Sequence, residues 1–498
     1  MLCSYAICLN KKLKITDKMK KNDIVEFKIE KYAFEGKGIV KINQSELNNI
    51  NEDTDKKYVI FVHNSYPGDV VKAKILKLKK SFGEAKTVEV IKPSPERTEA
   101  KCKHYGVCGG CKQQDLKYES QVKYKHEQVR DAFERLGGFS DFEMLPIVRS
   151  KEIYNYRNKM DFSFTPQRWL TEDEIKSEME IDKNFALGFH VPKVFSKVID
   201  IEECYLQTER ATDILNFTRE FFKVRKTSIY NTRTNEGYLR NLVLRESFGF
   251  NQFMVNLVTF TDDKKLMQEY TSELTSKFPF ITTVVNNVNL RKAQVAYGDF
   301  ENVYFGDGFI YDKIGDYKFR ISANSFFQTN TLQAEKLYQT ALDFAEFNGN
   351  EIVYDLYSGA STISIFISKF VQEVYGFESV RTAIKDGKNN CKINEIENVK
   401  SFETDLNKSF LPKIEEKKTN KPDVIIADPP RAGMNPKTVK DILELEPQKI
   451  VYVSCNPTTQ ARDVKLLCEE KYKLVKIQPV DMFPQTYHIE NIALLVKK

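Results

Sequence analysis

Two residues near the end of the chain have side chains suited to covalent and acid–base chemistry. Cys455 follows the apolar run Ile450–Val453 and precedes Asn456 and Pro457, turn formers that favour a thiol pointing out of a core. Glu490 precedes the last apolar run of the chain. A thiolate can add to an electrophilic carbon, and a carboxylate can remove a proton from the adduct. The alternatives are a Cys that only packs and a Glu that is only solvated.

These two side chains require elements that bring them together. From about Asn324 onward, apolar runs of strand length alternate with segments of helix length, a pattern typical of a doubly wound α/β sheet with mostly parallel strands. Ligands bind to such sheets at the carboxyl ends of the strands. The strand candidates are Ile352–Leu356, Val374–Phe377, Val424–Ala427, Ile450–Val453, Leu474–Ile477 and Ile492–Val496.

Polar side chains follow several of these strands. Glu378 lies 19 residues after Gly359, close to the spacing at which an acid meets ribose hydroxyls in nucleoside-binding βαβ units. The turn after Gly359 lacks a second glycine, which disfavours a pyrophosphate and is compatible with a cofactor without phosphates. Asp428 begins the sequence Asp-Pro-Pro-Arg, in which two prolines fix the backbone behind a carboxylate. Taken singly, a surface Glu and a plain turn explain these residues better, but the strand and glycine turn before Glu378 favour the ribose contact.

The combination of a sulfur nucleophile, a carboxylate and a methyl-donor fold suits few reactions. Methylation of carbon 5 of uracil is one of them, because that carbon is too weak a nucleophile to attack a sulfonium methyl directly. A thiolate adds to carbon 6 and turns the ring into an enolate, which can attack. A base then removes the proton from carbon 5 so that the thiol can leave. Cys455 and Glu490 are the predicted nucleophile and base.

A second cluster of cysteines lies near the start of the chain. Cys102, Cys108 and Cys111 fall within ten residues, and the glycines between them allow a tight backbone around a metal centre. Cys204 is the best available fourth ligand. Four sulfurs suit either zinc or an iron–sulfur cluster, and the spacing does not decide between them.

Composition and charge favour a globular protein that binds a polyanion. The chain has 498 residues, of which 41% are hydrophobic and 29% charged. Residues 1–100 hold 20 Lys and Arg against 14 Asp and Glu, whereas the remaining charges balance. A basic segment attached to a neutral body is typical of a nucleic-acid-binding module, although a lysine-rich surface is the alternative. Nine cysteines without a secretory signal predict a reduced, cytoplasmic protein.

The patterning divides the chain into four segments. Residues 1–18 are predicted to be a disordered extension, because Met19 precedes the first clear strand pattern. Alternating residues and turn signals in 19–93 predict a small β-barrel. Residues 94–320 mix strands and helices, with a helix over Tyr118–Leu136 and a charged insert at Thr171–Glu180. Residues 321–498 form the doubly wound domain.

The motifs together resemble the uracil-C5 RNA methyltransferases, specifically the bacterial 23S ribosomal RNA 5-methyluridine enzymes. The resemblance covers the chain from about Met19 to its end, with Ser358 and Ala360-Ser361 where the family often has Cys and a second Gly. The matching stretches are Phe326-Phe327-Gln328-Thr329-Asn330, Asp355-Leu356-Tyr357-Ser358-Gly359, Asp428-Pro429-Pro430-Arg431-Ala432-Gly433, the segment from Cys455 to Asp463, and His488–Leu495.

The resemblance implies the architecture, the cofactors and the site residues. It implies a TRAM domain (an OB-like RNA-binding barrel) at 19–93, a central α+β domain with a [4Fe-4S] cluster at 94–320, and a Rossmann-like S-adenosylmethionine (SAM) domain at 321–498. The implied nucleophile is Cys455 and the implied proton acceptor is Glu490. The implied SAM contacts are Gln328, Tyr357, Glu378 and Asp428, and the implied cluster ligands are Cys102, Cys108, Cys111 and Cys204.

The resemblance also bears on the substrate. Bacterial tRNA enzymes of this family typically lack both the barrel and the cluster, so having both favours 23S rRNA over tRNA, and a monomer is expected. Two other functions stay open at this stage. One is an amino-group nucleic-acid methyltransferase that uses Asp-Pro-Pro-Arg and needs no cysteine. The other is a non-catalytic RNA-binding or assembly factor with a relict SAM fold.

Overall fold

The computed structural model describes residues 19–43, 57–177, 181–192, 194–292 and 298–498. The predicted disordered extension, residues 1–18, lies outside the described residues. The chain forms two compact units. The first comprises the described residues up to Glu99 together with Asp115–Tyr124, and the second comprises Ala100–Gln114 and Lys125–Lys498. The division of the second unit into a central and a cofactor domain stays a prediction.

The first unit contains a six-stranded barrel, as the alternating pattern predicts. The two end strands of its sheet are consecutive in the chain and separated only by Ile29 and Glu30, so the sheet closes on itself. The Ile29 N–H donates to the Asp69 carbonyl, and the Glu30 N–H donates to the Ile39 carbonyl. In spatial order the strands are Ile24–Lys28, Val70–Leu78, Phe82–Lys92, Lys57–His63, Lys37–Asn43 and Lys31–Ala33.

An eight-stranded, mostly antiparallel sheet occupies the middle of the chain. Its strands Leu239–Glu246 and Phe253–Thr259 are buried along most of their length, because helices Glu209–Val224 and Lys264–Lys277 contribute buried residues to the same apolar core. In spatial order the strands are Phe300–Phe305, Thr283–Val288, Phe253–Thr259, Leu239–Glu246, Lys159–Thr165, Ala186–Val191, Val194–Asp200 and Arg168–Trp169. A hairpin, Phe309–Ile314 with Tyr317–Ser322, follows this sheet in the chain.

The second eight-stranded sheet is the predicted doubly wound sheet. Five of its strands are parallel, and the last strand of the chain, Glu490–Lys497, runs antiparallel to Lys449–Ser454. This antiparallel strand therefore begins at the carboxyl end of its neighbour, where Ser454 pairs with Asn491. In spatial order the strands are Val399–Glu403, Glu373–Glu378, Ile352–Leu356, Val424–Ala427, Lys449–Ser454, Glu490–Lys497, Tyr472–Val480 and Glu143–Met144.

Helices separate most of these strands, and several begin at capping side chains. Asn330 and Asn456 each accept a hydrogen bond from a backbone N–H in the first turn of the helix that follows. No helix in the described parts of the chain has the length and apolarity needed to cross a bilayer. The helices are Tyr118–Asp131, Glu172–Lys176, Glu209–Val224, Lys264–Lys277, Thr331–Ala345, Thr362–Ile367, Arg381–Ile393, Leu411–Lys417, Pro436–Leu445 and Pro457–Glu470, with a π-helical turn at Ala132–Gly137 and a 3₁₀ turn at Ser368–Phe370.

Candidate functional site

The carboxyl ends of the parallel strands surround a cavity of about 770 Å³. All six residues predicted for catalysis and cofactor binding line it, although they come from six separate segments of the chain. They are Gln328, Tyr357, Glu378, Asp428, Cys455 and Glu490. The structure therefore brings together residues that the sequence only placed at strand ends.

The loop after strand Ile352–Leu356 forms one wall of the cavity. Tyr357 and Ser361 have the left-handed φ values 64° and 59°, which cost energy for residues with a Cβ. The Tyr357 N–H donates to the Phe377 carbonyl at 3.0 Å, which holds the first of these conformations. Such local strain at a ligand-binding loop is retained only where the surroundings fix it.

Glu378 is held by backbone donors on both sides. Its Oε2 accepts from the Gly359 N–H at 2.9 Å, and its Oε1 accepts from the Ser379 and Val380 N–H groups at 2.7 and 2.8 Å. Two carboxylate oxygens offer about four acceptor positions. The Oε1 atom also accepts from the Ser379 hydroxyl at 3.2 Å, whereas Oε2 has the single donor Gly359. The carboxylate is therefore fixed in the cavity wall, and its Oε2 retains acceptor capacity for a hydroxyl donor, such as that of a ribose.

Two further residues, one at the end of strand Ile352–Leu356 and one in the loop after it, carry buried polar atoms without a hydrogen-bond partner in the structure. They are the Asp355 Oδ1 and the Ser358 Oγ, and both residues line the cavity. The other Asp355 oxygen accepts from the Ser364 hydroxyl. A buried polar group is costly when it is unpaired, so these atoms indicate a polar ligand in the cavity. The sequence motif contained both residues, but no pattern in it distinguished them as site residues.

Burial changes the acidity of the two aspartates at this wall. Burial raises the pKa of Asp355 to about 7, against the lowering effect of its hydrogen bonds from Ser364. Burial, together with the charge of Asp355, raises the pKa of Asp428 to about 7. Both carboxyl groups therefore change charge near neutral pH, and a cation bound beside them would favour their charged forms.

Gln328 enters the cavity from the turn before helix Thr331–Ala345. Its side chain hydrogen-bonds to Tyr338 on that helix, and its carbonyl accepts from the Asn158 Nδ2 at 2.8 Å. Asn330, two residues later, caps the helix and donates to the Met482 carbonyl. These bonds fix the turn from both sides.

Cys455 stands between a strand and a helix N-terminus, as the sequence predicted. It follows Lys449–Ser454, and the next residue, Asn456, caps helix Pro457–Glu470. Burial, together with the charges of Glu490 and Asp428, raises the pKa of the half-buried thiol to about 11. A hydrogen bond and the charge of Arg431 act in the opposite direction. Cys455 is therefore a thiol near neutral pH, and it must lose its proton before it can attack.

Glu490 lies beside Cys455 because of the antiparallel last strand. It is 6% exposed, and burial raises its pKa well above the usual value, with a further contribution from Asp428. Arg431 lowers it. The charge of Glu490 affects the pKa of Cys455, so the two groups lie close together. A thiol and a buried carboxyl group in this arrangement are suited to exchanging protons with one substrate.

Arg431 is a residue of the cavity that the sequence did not single out. Its guanidinium acts on both Cys455 and Glu490 and lies 3.4 Å from the His488 Nδ1. Burial and the charge of Arg431 lower the pKa of His488 to about 4, so this imidazole is neutral. The Arg431 carbonyl accepts from the Asn456 Nδ2 at 3.0 Å, which ties Asp-Pro-Pro-Arg to the cysteine turn.

The four predicted cluster cysteines lie in the second unit, away from the residues that line the cavity. Cys108, Cys111 and Cys204 pack against one apolar core. Burial, together with the charges of the other cysteines, raises the pKa of Cys108 to about 11 and that of Cys111 to about 12. The four sulfurs therefore lie close enough for their charges to affect one another's pKa.

Donor hydrogen bonds to these sulfurs fit thiolate ligands. The Gly110 N–H donates to the Cys108 Sγ at 3.4 Å, and backbone donors at Leu206 and Gln207 face Cys204. Within the described residues, no group of three or more potential ligands has the spacing needed to hold a metal ion.

Comparison with known proteins identifies the class. The profile of the tRNA (uracil-5-)-methyltransferase family matches residues 257–498, and that of the TRAM domain matches residues 18–88. An uncharacterised RNA methyltransferase of Chlorobaculum tepidum is 44% identical over 86% of this chain and 89% of its own length. One of Bacteroides thetaiotaomicron is 41% identical over 93% of this chain and 99% of its own.

A solved structure is similar over almost the whole chain. The Pyrococcus abyssi tRNA (uracil-54, C5)-methyltransferase, in complex with S-adenosyl-L-homocysteine, is 30% identical, covers 95% of this chain and 100% of its own, and has a TM-score of 0.70. The chain belongs to the RNA uracil-C5 methyltransferase family. The predicted α/β methyltransferase fold, the TRAM domain and the enzyme class, an RNA (uracil-5-)-methyltransferase, are confirmed. SAM as the donor and RNA as the substrate are supported by the same family.

Proposed function

We propose that this enzyme methylates carbon 5 of a specific uridine in 23S ribosomal RNA through a covalent Cys455 intermediate. One observation carries the proposal. Cys455 and Glu490 open into the same cavity as the residues predicted to contact SAM. A nucleophile, a base and a methyl donor that share one cavity are what substitution at a weakly nucleophilic ring carbon requires.

The residues have distinct roles in this reaction. The Cys455 thiolate adds to carbon 6 of the uracil, and the electrons pass to carbon 5, which takes the methyl group from the sulfonium of SAM. Glu490 then removes the remaining proton from carbon 5, the carbon–sulfur bond breaks, and Cys455 leaves as a thiolate. Arg431, which acts on both side chains, stabilises the thiolate at the start and the carboxylate before proton removal.

The cofactor is proposed to lie along the opposite wall. Glu378, fixed by three backbone donors, is suited to the ribose hydroxyls. Asp428, Gln328 and Tyr357 complete the predicted contacts. The unpaired Asp355 and Ser358 atoms support a polar and cationic ligand at this wall, which a methionine ammonium and a sulfonium would supply. The target uridine must leave its stack to reach the cavity.

The cysteine site is proposed to hold a [4Fe-4S] cluster through Cys102, Cys108, Cys111 and Cys204. Mutual proximity and backbone donors to the sulfurs support thiolate ligation. The proposed location is the cytoplasm, where cysteines stay reduced. Iron and sulfide analysis of anaerobically purified protein, with an absorption spectrum, tests this assignment. A colourless protein loaded with zinc contradicts it.

The nature of the RNA is the finer part of the proposal. A basic barrel together with a cysteine cluster favours ribosomal RNA. The second candidate is tRNA, because the matching family and the similar Pyrococcus abyssi enzyme are both named as tRNA methyltransferases. Mass-spectrometric mapping of 5-methyluridine in both RNA classes, with and without the gene, decides between them. Loss of the modification from tRNA alone contradicts the 23S assignment.

Trapping tests the chemistry separately. Transcripts that contain 5-fluorouridine cannot lose a proton from carbon 5, so they should stay attached to the wild-type enzyme on a denaturing gel. Cys455→Ala should form no adduct and lose methyl transfer by roughly 10⁴-fold or more, whereas Cys468→Ala, outside the cavity, should behave as wild type. Retained turnover in Cys455→Ala would support an amino-group methyltransferase instead. Failure to bind SAM in calorimetry would support a non-catalytic factor.

A further inference from the structure

The cysteine site and the catalytic cavity are joined by hydrogen bonds. Lys112 and Gln113, the two residues after Cys111, both donate their backbone N–H groups to the Gln485 carbonyl, at 2.9 and 3.0 Å. Gln485 is 2% exposed and has a left-handed φ of 68°. A strained, buried residue of this kind keeps its conformation only where its neighbours hold it.

The segment that contains Cys204 reaches the same loop. The Asn155 and Arg157 N–H groups donate to the carbonyls of Tyr205 and Leu206, the two residues after Cys204, at 2.8 Å each. Tyr156, which lies between these donors, directs its buried hydroxyl to the Pro484 carbonyl at 3.0 Å. The adjacent carbonyls of Pro484 and Gln485 are therefore held from two segments of the cysteine site. The segment after Cys111 holds Gln485, and the segment paired with the residues after Cys204 holds Pro484.

This loop, Asp481–His488, connects the last two strands and reaches the cavity. Phe483 lines the cavity, and His488 contacts Arg431. The loop leads directly into the strand that begins with Glu490. The position of this loop therefore determines the position of Glu490, the proposed base, and of His488.

The segment that carries Cys102, Cys108 and Cys111 is also braced by hydrogen bonds within itself. The Gln114 Oε1 accepts from the Cys102 N–H at 3.0 Å, and the Gln114 side chain also hydrogen-bonds to the Cys111 thiol. The Tyr105 hydroxyl donates to the Lys112 carbonyl at 3.0 Å. The residues that hold the loop thus depend on the shape of the cysteine turn.

We propose that the cysteine site positions the catalytic loop: a cluster bound by Cys102, Cys108, Cys111 and Cys204 fixes the two segments that hold Pro484 and Gln485. The inference rests on the proposed function for the identity of the bound group and for the role of Glu490. The link itself depends on residues of the chain, since Lys112, Gln113 and Tyr156 are positioning residues and none of them lines the cavity. Loss of the cluster then loosens the loop and leaves the SAM wall of the cavity intact.

Hydrogen–deuterium exchange on the full-length, cluster-loaded enzyme tests the link without any activity measurement. We expect slow exchange in the peptide that covers residues 482–488 of the wild type. In Cys111→Ser, exchange of this peptide should be faster by about tenfold or more, because local opening sets the rate. Exchange of strand Ile352–Leu356 and the affinity for SAM should not change. Cys468→Ser, a cysteine outside the site, is the matched control and should exchange as wild type.

A second variant keeps the test decisive if Cys111→Ser unfolds or retains its iron. Tyr156→Phe removes only the hydroxyl that holds Pro484 and leaves every cysteine in place, so it should keep full iron content, speed exchange at 482–488 and reduce trapping of 5-fluorouridine RNA. Unchanged exchange at 482–488 in Tyr156→Phe, or in a protein shown to have lost its iron, overturns the proposal. Absence of adducts in the wild type would instead overturn the proposed function, because the exchange result does not depend on it.

Discussion

Glu490 is proposed to remove the proton from carbon 5, and a single substitution can test this role. In Glu490→Gln the carboxylate is replaced by an amide of the same shape, which cannot accept the proton from carbon 5. Addition of Cys455 and methyl transfer should proceed, while release slows by roughly 10²–10⁴-fold, the usual contribution of a general base. The enzyme should therefore accumulate as a methylated covalent RNA complex, seen as a slow band on a denaturing gel.

The control for this prediction is natural uridine RNA with the wild-type enzyme, which should show no lasting adduct. The double variant Cys455→Ala with Glu490→Gln should also show none. If Glu490→Gln alone releases methylated RNA at the wild-type rate, another group removes the proton.

Arg431 should control how readily Cys455 loses its proton. Its guanidinium lowers the pKa of a thiol that burial raises to about 11. Arg431→Met should therefore raise the thiol pKa by about one unit, which slows adduct formation about tenfold near neutral pH. Single-turnover trapping with 5-fluorouridine RNA as a function of pH measures the shift. Arg431→Lys keeps the charge without the planar fork and should lie between the two. An unchanged pH profile in Arg431→Met would contradict this role.

The two buried aspartates should make SAM binding pH-dependent. Asp355 and Asp428 have pKa values raised to about 7, so they are largely protonated at lower pH. A cationic ligand favours their charged forms, and its binding releases protons. Affinity should therefore rise with pH, by up to about tenfold per unit below pH 7 for one released proton, and level off above. Calorimetric titration of SAM across this range measures the slope.

The product and one variant are the controls. S-adenosyl-L-homocysteine lacks the sulfonium charge and should show a shallower slope. Asp355→Asn removes one of the two carboxylates and should flatten the SAM profile. Equal slopes for both ligands would place the sulfonium away from these aspartates.

At the scale of elements, the sequence predicted the cofactor sheet well, because its central strands are buried on both faces and appear as continuous apolar runs. Ile352–Leu356 and Val424–Ala427 have the bounds that were predicted. Strand Val399–Glu403 was missed, since it lies at the edge, is half-exposed and contains the charged residues Lys400 and Glu403. The residue pattern there contains too few apolar positions to distinguish a strand from a loop.

Some of the site residues could likewise be predicted from the sequence, and others could not. Residues such as Cys455 and Glu378 were predictable, because a strand end and a residue type locate them along the chain. The action of Arg431 on Cys455 and Glu490 was not, since it depends on how two loops pack after folding. The unpaired Asp355 oxygen could not be predicted either, because whether a carboxylate oxygen has a hydrogen-bond donor depends on the residues that pack around it.

Helix Arg381–Ile393 should set the shape of the cofactor loop through Gly387. A Cβ at Gly387 would lie 2.6 Å from the Ser361 Oγ and 3.2 Å from the Ala360 carbonyl carbon. Gly387→Ala should therefore displace the loop, weaken SAM binding, and lower stability by about 1–3 kcal/mol through overpacking. Calorimetry and thermal unfolding measure both effects. Lys388→Ala, at an exposed position of the same helix, should change neither; a Gly387→Ala variant with normal SAM affinity would show that the loop can adapt.

At the scale of the whole molecule, charge and chemistry are separated along the chain. The excess positive charge lies in residues 1–100, whereas the cavity belongs to the second unit. The barrel also has an apolar interior of its own, which includes Ile60, Val62 and Ala73. RNA affinity and methyl transfer should therefore respond to different substitutions.

The barrel lysines offer the test of that separation. Lys41 and Lys57 lie at exposed positions on adjacent barrel strands, where Lys41 pairs with Val59 and Lys57 pairs with Asn43. If both contact phosphates, the double change to Ala should reduce the slope of log affinity against log salt by about 1.8, at about 0.9 per lost contact with duplex RNA. Filter binding of a 23S fragment at several salt concentrations measures the slope.

The matched control is the double change of Lys437 and Lys440 to Ala, on exposed positions of helix Pro436–Leu445 in the second unit. This control removes the same charge from the whole protein, so an effect of net charge alone would appear in both variants equally. SAM affinity should stay at the wild-type value in both, because none of the four lysines lines the cavity. A salt slope that falls equally in the two variants, or in neither, would show that the barrel surface at Lys41 and Lys57 does not contact the RNA backbone.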